Sequence, residues 1–559
     1  MKKIFNSRAL ALILVLAMAV SLLTISASAT TISKVSIAEG EPVAIDWTQA
    51  GTTYTGTIVN SATLSSTVYS MPSSFTLWTE GEATFEAGTG ITVTAIGASA
   101  DETNYSYKVD VSGIASGSTA TLVVTISSGT YTVALPSATP ISAGGTKPTS
   151  VLSYAPLGQF ARGNGWGSIY SNYANVAGST ASDALVKFAT GTGYESTGVS
   201  LGAFGGYIDF YFQGGITNDA KNPYGVDFVI YGNAFNANPE AGAVQVSEDG
   251  ITWYELAGSM YYDDNFNYTG EAGASRISNA YTGTLRNATI SYSQDSVIKA
   301  TVKDASGATK INAAQFVAST AWWPTALKGY PAIAAHINSN ATSTSNVQVT
   351  CNDTVFSSTG VTLIPDSNTT ADYAFGYADV TPNGSPASYG DAVNPYTPYT
   401  SSKTGGDGFD LEWAVDSNGL PVDVTGKTFR YVRVYSAVLD NGTFGETSTE
   451  ICGIFTTANK ENASVGQTEE PDLTINGADV YNLSESGRIT LMNTSYGLFI
   501  NASGMGLNSA TITAASSNTA NVYINNVNAG EYTKTSNTEY VRVIVQDGTA
   551  APFIAFIKF

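Results

Sequence analysis

Carboxylates grouped in one short segment are the first residues whose spacing could do chemistry. Residues 405–410 read GGDGFD and place Asp407 and Asp410 three positions apart among glycines. We predict a flexible loop in which both carboxylates and nearby backbone carbonyls converge on one hard cation such as calcium. Glu240 completes the predicted metal set, with Asp227 and Glu450 as further oxygen donors. The alternative is that both aspartates form turn hydrogen bonds with the backbone.

A second candidate set combines aromatic rings with amide and guanidinium groups, a combination that holds sugar rings by stacking and hydrogen bonding. The segment RGNGWG concentrates Arg162, Asn164 and Trp166. Further loop-like segments contribute Asn233, Tyr261 and Trp322. These six residues are the predicted ligand-binding positions. The alternative is that the aromatic side chains pack long loops in place.

Carboxylate catalysis is the third possibility. Asp263, Asp264, Glu412 and Glu450 could supply a glycosidase pair, whose function depends on a spatial separation that sequence does not give. The chain has no nucleophile elbow, zinc motif or phosphate loop. Its single histidine, His336, lies among small apolar residues, which is typical of a core position. We therefore predict no enzymatic activity and name no catalytic residue.

The N-terminus predicts export. Lys2, Lys3 and Arg8 precede an apolar stretch that ends in Ala27-Ser28-Ala29, the pattern of a cleaved signal peptide over residues 1–29. No later segment reaches membrane-spanning length, so we expect a secreted or cell-surface protein without a membrane span after cleavage.

The charge balance narrows the class of partner. The chain has 24 basic and 45 acidic residues, a net charge of −21. Nucleic acid and anionic membranes need clustered Lys and Arg, so we exclude both as expected partners. Some carboxylates are available to bind calcium, although we expect most of them only to keep the protein surface soluble.

Composition and turn spacing predict an all-β, multidomain protein. The 559 residues include 55 Gly and 32 Tyr, and long amphipathic helical stretches are absent. Alternating strands separated by polar linkers divide the chain as follows: a signal peptide at 1–29, an N-terminal β-sandwich at 30–138, a linker at 139–150, a central domain at 151–457, a linker at 458–472 and a C-terminal β-sandwich at 473–559. The two cysteines, Cys351 and Cys452, are either bridged or free.

The central domain contains the strongest local signals. Residues 226–231 (VDFVIY) form an apolar run typical of a strand covered on both faces. A further strand at 243–247 turns through Glu248-Asp249-Gly250 toward Trp253 and Leu256, which is a hairpin pattern.

Five ordered motifs in the central domain carry a resemblance: VSLGAFGG, NPYGVDFVIYGNAF, VQVSEDGITWYELAGS, GGDGFDLEWAVD and YVRVYSA. Their order resembles a family of exported bacterial cell-surface proteins over about 300 residues. More distantly, the SEDGITWYEL hairpin with the late FRYVRV strand is similar to discoidin-like, galactose-binding jelly rolls. The resemblance implies a central jelly-roll-like sandwich with no established catalytic activity, and the alternating strand pattern on either side predicts two smaller Ig-like sandwiches.

We therefore expect a non-catalytic binding protein that recognises glycan or another cell-envelope component through loops of the central domain. Two alternatives stay open. The protein is a structural component of a surface layer or matrix, or it is a glycoside-active enzyme.

Overall fold

The computed structural model describes most of the chain from residue 34 to its end. The described residues are 34–38, 43–60, 71–99, 103–138, 147–148, 150–155, 199–219, 221–234, 239–263, 266–270, 281–294, 298–315, 355–365, 375–381, 390–396, 406–442, 445–457, 467–494, 497–516, 520–525, 527–534 and 540–559. The predicted signal peptide, the greater part of both predicted linkers, His336 and Cys351 lie outside them.

The N-terminal region is a sandwich of two sheets. Its strands are β1 (Val35–Ile37), β2 (Val43–Ala50), β3 (Thr53–Asn60), β4 (Ser74–Glu80), β5 (Thr84–Ala87), β6 (Thr92–Ala98), β7 (Asn104–Asp110), β8 (Thr119–Ile126) and β9 (Gly129–Pro136). One sheet has the order β1-β4-β7-β6 and the other β2-β3-β9-β8-β5. Alternate residues of β4 and β8 point inward, and Leu77, Val109, Leu122 and Val133 share one buried core.

The central region contains the longest strands and the predicted functional residues. Its strands are β10 (Ser150–Ala155), β11 (Val199–Ser200), β12 (Tyr207–Ile216), β13 (Phe228–Tyr231), β14 (Gly242–Ser247), β15 (Tyr254–Leu256), β16 (Asn267–Tyr268), β17 (Tyr281–Thr282), β18 (Leu285–Gln294), β19 (Ile298–Lys303), β20 (Thr309–Gln315), β21 (Val355–Leu363), β22 (Asp407–Phe409), β23 (Ala414–Val415), β24 (Phe429–Ser436), β25 (Asn441–Gly442), β26 (Gly445–Glu446), β27 (Glu450–Ile451) and β28 (Gly453–Thr456).

A six-stranded sheet of order β10-β12-β24-β14-β15-β23 forms the middle of the central region. A three-stranded sheet, β22-β13-β28, shares a core with one face through Phe228, Ile230 and Phe409. A four-stranded sheet, β20-β19-β18-β21, contributes Ile290 and Val302 to a second core on the other face. The middle sheet is therefore covered on both sides, which explains its nearly unbroken burial.

The hairpin signal in the sequence corresponds to β14 and β15, which pair with Gln245 opposite Glu255. Its turn is held by Asp249, whose Oδ1 accepts hydrogen bonds from the backbone N–H of Ile251 and Thr252 at 2.8 and 2.7 Å. The late strand β24 returns beside β14, with Gln245 opposite Arg433.

The C-terminal region is a second pair of sheets. Its elements are β29 (Asp472–Ile475), β30 (Ala478–Asp479), α1 (Val480–Glu485), β31 (Thr490–Asn493), β32 (Gly497–Asn501), β33 (Ala510–Ala515), β34 (Asn521–Ile524), β35 (Val527–Asn528), β36 (Glu531–Lys534), β37 (Tyr540–Gln546) and β38 (Phe553–Lys558). The sheet orders are β30-β29-β33-β36 and β31-β32-β38-β37-β34-β35. Strands dominate all three regions, and the protein is all-β.

The C-terminal region packs directly into the central region. Val541, Val543 and Val545 of β37 face their own sandwich core, whereas Ile544 belongs to the core of the central region. Tyr523, Ile554 and Phe556 enter the same central core. Burial on both faces explains the apolar sequence of β37 and β38.

Within the described residues, no helix has the length and apolarity needed to cross a membrane.

Candidate metal centre

The three-stranded sheet β22-β13-β28 positions the predicted metal residues. Asp407 is opposite Ile230 in the pairing of β22 with β13, and Phe409 is opposite Phe228. The predicted flexible loop at residues 407–409 is therefore a fully buried strand, which corrects the sequence interpretation of this segment. An extended strand advances roughly 3.3 Å per residue, so Asp407 and Asp410 lie about 10 Å apart along it. Each aspartate joins a different acidic cluster.

The cluster at the Asp407 end contains Glu240, Asp379 and Glu450, which we call the acidic triad. One carboxylate oxygen from each residue lies within 4.8 Å of the other two. Asp379 is fully buried, Glu450 is 3% exposed and Glu240 is half-buried. Of the predicted metal set, Glu240 belongs to the triad and Asp407 lies beside it.

Backbone amides fix the orientation of Asp379. Its Oδ1 accepts a hydrogen bond from the Asn233 N–H at 2.6 Å, and its Oδ2 accepts one from the Glu450 N–H at 2.9 Å. Gly232 is required next to this carboxylate, because an added Cβ would overlap Asp379 Oδ1. Asp379 itself has a positive φ of 62°, a conformation that costs free energy for a non-glycine residue. The local backbone is thus shaped around one buried carboxylate.

The other triad members are also tied to the surrounding loops. Glu240 Oε1 accepts a hydrogen bond from the Ser448 N–H at 3.3 Å, and the Glu240 N–H donates to the Asp379 carbonyl at 3.0 Å. Glu450 lies in β27, which pairs with β11. Asp407 Oδ2 accepts from the Val380 N–H at 3.1 Å, so a fourth carboxylate lies close to Asp379.

Burial acts on all three triad carboxyls, and repulsion from neighbouring carboxylates adds to it at Asp379 and Glu450. Burial raises the pKa of Asp379 well above its usual range, and the nearby Glu240 and Asp407 raise it further. Burial, followed by Glu240 and Asp379, does the same to the pKa of Glu450. The pKa of Glu240 is raised by burial and lowered by its hydrogen bond with Glu450. The triad therefore either retains protons or requires a positive charge beside it.

The donor set of the triad suits a hard cation. All three groups are carboxylates, and calcium takes oxygen ligands at about 2.3–2.6 Å, so two ligands on one ion can lie up to about 5 Å apart. The observed separations fall within this limit. Soft metals prefer sulfur or imidazole ligands, which the triad does not offer.

Asp410 lies at the opposite end of β22, in a second cluster. Asp227, Asp410, Glu412 and Asn222 form this junction cluster, named for its place beside the C-terminal region. Asp227 accepts hydrogen bonds from Asn222 Nδ2 at 2.7 Å and from the Leu411 N–H at 3.0 Å. The predicted metal set of Asp407, Asp410 and Glu240 is thus divided between two sites.

The predicted ligand-binding residues are placed in part. Tyr261 is buried, with its ring 5.0 Å from that of Tyr262 and with the Arg286 guanidinium 5.2 Å above it. Asn233 lies at the triad through its backbone N–H. The other four predicted residues lie outside the described part of the chain: Arg162, Asn164, Trp166 and Trp322. Their role in ligand binding stays a prediction.

Asp379 is the functional candidate that the sequence interpretation missed. It lies in the segment YAFGYADV, where a charged residue ends an apolar run. That position was a usable signal, because a carboxylate in such a run must be paired, protonated or bound to a cation when it is buried.

No protein-family model, curated protein or solved structure matches this chain. The fold and the site define it as an all-β protein with acidic clusters at both ends of strand β22.

Proposed function

We propose that this chain is an exported, non-catalytic binding protein of the bacterial cell surface, with calcium bound at the acidic triad. The convergence of Glu240, Asp379 and Glu450 within 4.8 Å carries the proposal. Three negative charges in a buried site repel one another, and a divalent cation replaces this repulsion with attraction. Calcium outside the cell is abundant enough to occupy weak oxygen-donor sites.

The position of the triad connects the cation to loops of the central region. Asn233 and Glu240 lie at the two ends of the segment between β13 and β14, and both contact Asp379. Ser448 lies just before β27, and Glu450 is the first residue of that strand. A cation at the triad therefore ties three separate chain segments together. Loops held in this way are suited to ligand binding, since less conformational freedom is lost when the ligand arrives.

The proposed ligand is a glycan or another cell-envelope component. The support is the sequence pattern of Arg162, Asn164 and Trp166, together with a net charge of −21 that disfavours polyanionic partners. The triad itself gives little support to a glycosidase, because carboxylate oxygens of Glu240 and Glu450 lie within 4.8 Å of each other. A glycosidase pair flanks the scissile bond and needs about 5 Å or more between its carboxyl groups.

Binding of the full chain to a glycan array and to purified cell wall, in calcium and in chelator, tests this proposal. We expect binding that calcium strengthens and that Trp166→Ala reduces at least tenfold. Glu450→Gln should reduce binding in calcium to the level that the unmutated chain has in chelator. Asp423→Asn, at an exposed turn carboxylate, is the matched control and should bind normally. Binding that is indifferent to calcium and to both variants would contradict the proposal.

A further inference from the structure

The junction cluster contains buried oxygen atoms that lack hydrogen-bond partners. These atoms are Asp410 Oδ2, Glu412 Oε2 and Asn222 Oδ1. Asp410 is fully buried, Glu412 is 2% exposed and Asn222 is 1% exposed. A buried polar atom without a partner costs about 1–3 kcal/mol, and more when it is charged. Three such atoms on side chains of one cluster indicate that something positive or hydrogen-donating belongs beside them.

The remaining polar atoms of the cluster already have partners, which leaves these oxygens available. Asp410 Oδ1 accepts a hydrogen bond from the Glu412 N–H at 2.8 Å, and Glu412 Oε1 accepts one from Asn218 Nδ2 at 3.0 Å. Asn222 Nδ2 donates to Asp227 Oδ1 at 2.7 Å. Each side chain is held by one polar atom, while its other polar atom, an oxygen, has no hydrogen-bond partner. This arrangement orients ligand oxygens before an ion arrives.

Asn222 provides evidence that does not depend on the acidic residues. A carboxyl group can satisfy itself by taking up a proton, but an amide oxygen accepts only a donor or a cation. Its side chain is next to Asp227, and the turn that follows it touches Asp410, because a Cβ on Gly225 would lie 2.5 Å from Asp410 Oδ2. Gly225 has a positive φ of 75°, so glycine also suits the backbone of this turn.

We propose that Asp410, Glu412 and Asn222 form a second cation site, with Asp227 adding charge, and that this site takes a hard divalent cation such as calcium. The donors are two carboxylates and one amide oxygen, which is the ligand chemistry that calcium prefers. The site is separate from the acidic triad, since the two lie at opposite ends of β22.

The electrostatic environment agrees with this assignment. Burial raises the pKa of Asp410 well above its usual range, and the charges of Glu412 and Asp227 raise it further. Burial also raises the pKa of Glu412 to about 8. Repulsion among these groups would be relieved by a bound cation.

The location gives the second cation a role in holding two regions together. The Tyr224 N–H donates to the Thr549 carbonyl at 2.8 Å, and a Cβ on Gly225 would lie 2.8 Å from Pro552 Cδ. The Asn222 turn thus contacts both the cluster and the C-terminal region. A cation that fixes this turn also stabilises the contact between the regions.

Anomalous diffraction from crystals of the full chain grown with terbium(III), an oxygen-seeking substitute for calcium, tests the site directly. We expect a peak among Asp410 Oδ2, Glu412 Oε2 and Asn222 Oδ1. A peak at the acidic triad with none at the junction cluster would overturn this inference and leave the proposed function intact. Water or an empty space in place of the ion would also overturn it.

Calcium titration of Glu412→Gln gives a second readout in solution. The variant keeps the oxygen that accepts from Asn218, and we expect it to lose one calcium ion from the stoichiometry. In chelator it should melt at or above the temperature of the unmutated chain, because a buried charge has been removed. Asp423→Asn should keep the full stoichiometry. Equal stoichiometry in all three proteins would contradict the inference.

Discussion

Among single residues, the buried carboxyl groups are the most unusual feature of this protein. Glu255 is a useful example because it belongs to neither acidic cluster and lies on β15 of the middle sheet. Its Oε1 accepts a hydrogen bond from the Tyr435 hydroxyl at 2.7 Å and its Oε2 accepts one from Gln245 Nε2 at 2.9 Å. Burial raises the pKa of Glu255 from 4.5 to about 7, although both hydrogen bonds and the Arg433 charge lower it.

Glu255 should make stability fall as pH rises. Between 4.5 and about 7 the folded state keeps a proton that the unfolded chain has released, so folding binds the extra proton. Raising the pH from about 5 to 8 should therefore remove about 2–3 kcal/mol of unfolding free energy through this group alone.

Urea denaturation of Glu255→Gln at several pH values measures this contribution. The variant should lose less stability than the unmutated chain over the same range, by about that amount. The exposed Glu485→Gln serves as control. Parallel pH profiles for the Glu255 variant and the unmutated chain would show that Glu255 has no raised pKa.

At the scale of elements, the pairing of β12 with β24 is reinforced by one ion pair. Asp209 is opposite Arg433, which donates from Nε and Nη2 to the two carboxylate oxygens at 2.7 and 2.8 Å. The guanidinium also lies 4.6 Å from the Tyr207 ring centroid and 4.3 Å from that of Trp253. A bidentate and stacked arginine of this kind is not equivalent to lysine.

Arg433→Lys should lower the unfolding free energy by about 1–2 kcal/mol, because it loses one of two hydrogen bonds and most of the ring contact. Arg430→Lys, on the same strand, is the matched control and should change stability by less than about 0.5 kcal/mol. Equilibrium urea denaturation measures both. If the two variants were equally stable, the ion pair of Asp209 with Arg433 would contribute no more to the unfolding free energy than an ordinary surface charge does.

The elements also show what the sequence could and could not predict. The β14–β15 hairpin was predictable because Asp249 and Gly250 set the turn locally. Strand β22 could not be predicted in this way. One of its three residues is a glycine and two more glycines precede it, a composition that is typical of a loop. The convergence of Glu240, Asp379 and Glu450 depends on contacts between segments up to 210 positions apart, and no local pattern encodes them.

At the scale of the whole molecule, the C-terminal region is anchored by a buried arginine. Arg542 of β37 is 1% exposed and donates to the backbone carbonyls of Ala257 and Gly258, the latter at 2.7 Å. Its guanidinium also lies 5.3 Å from the Tyr262 ring centroid. Together with the shared core, these contacts should make the central and C-terminal regions unfold as one cooperative unit.

Arg542→Ala should uncouple the two regions. The substitution removes the arginine's hydrogen bonds to two buried carbonyls and leaves a cavity between the sheets, so we expect a loss of about 3 kcal/mol or more. In differential scanning calorimetry, the unmutated chain should show one joint unfolding transition for the two regions, and Arg542→Ala should show two separate transitions. Arg488→Ala, at an exposed position of the C-terminal region, should leave the calorimetric profile unchanged. A single, unshifted transition in Arg542→Ala would contradict the anchoring role.

The proposed binding of calcium at the acidic triad would connect buried carboxyls, the ends of strands and the loops of the central region. Isothermal titration of the metal-free full chain with calcium at neutral pH tests it most directly. We predict binding with a dissociation constant on the order of 10⁻⁴ M or tighter. Glu450→Gln should lose one ion, whereas Asp423→Asn should titrate like the unmutated chain. Identical titration curves for the unmutated chain and Glu450→Gln would contradict the account.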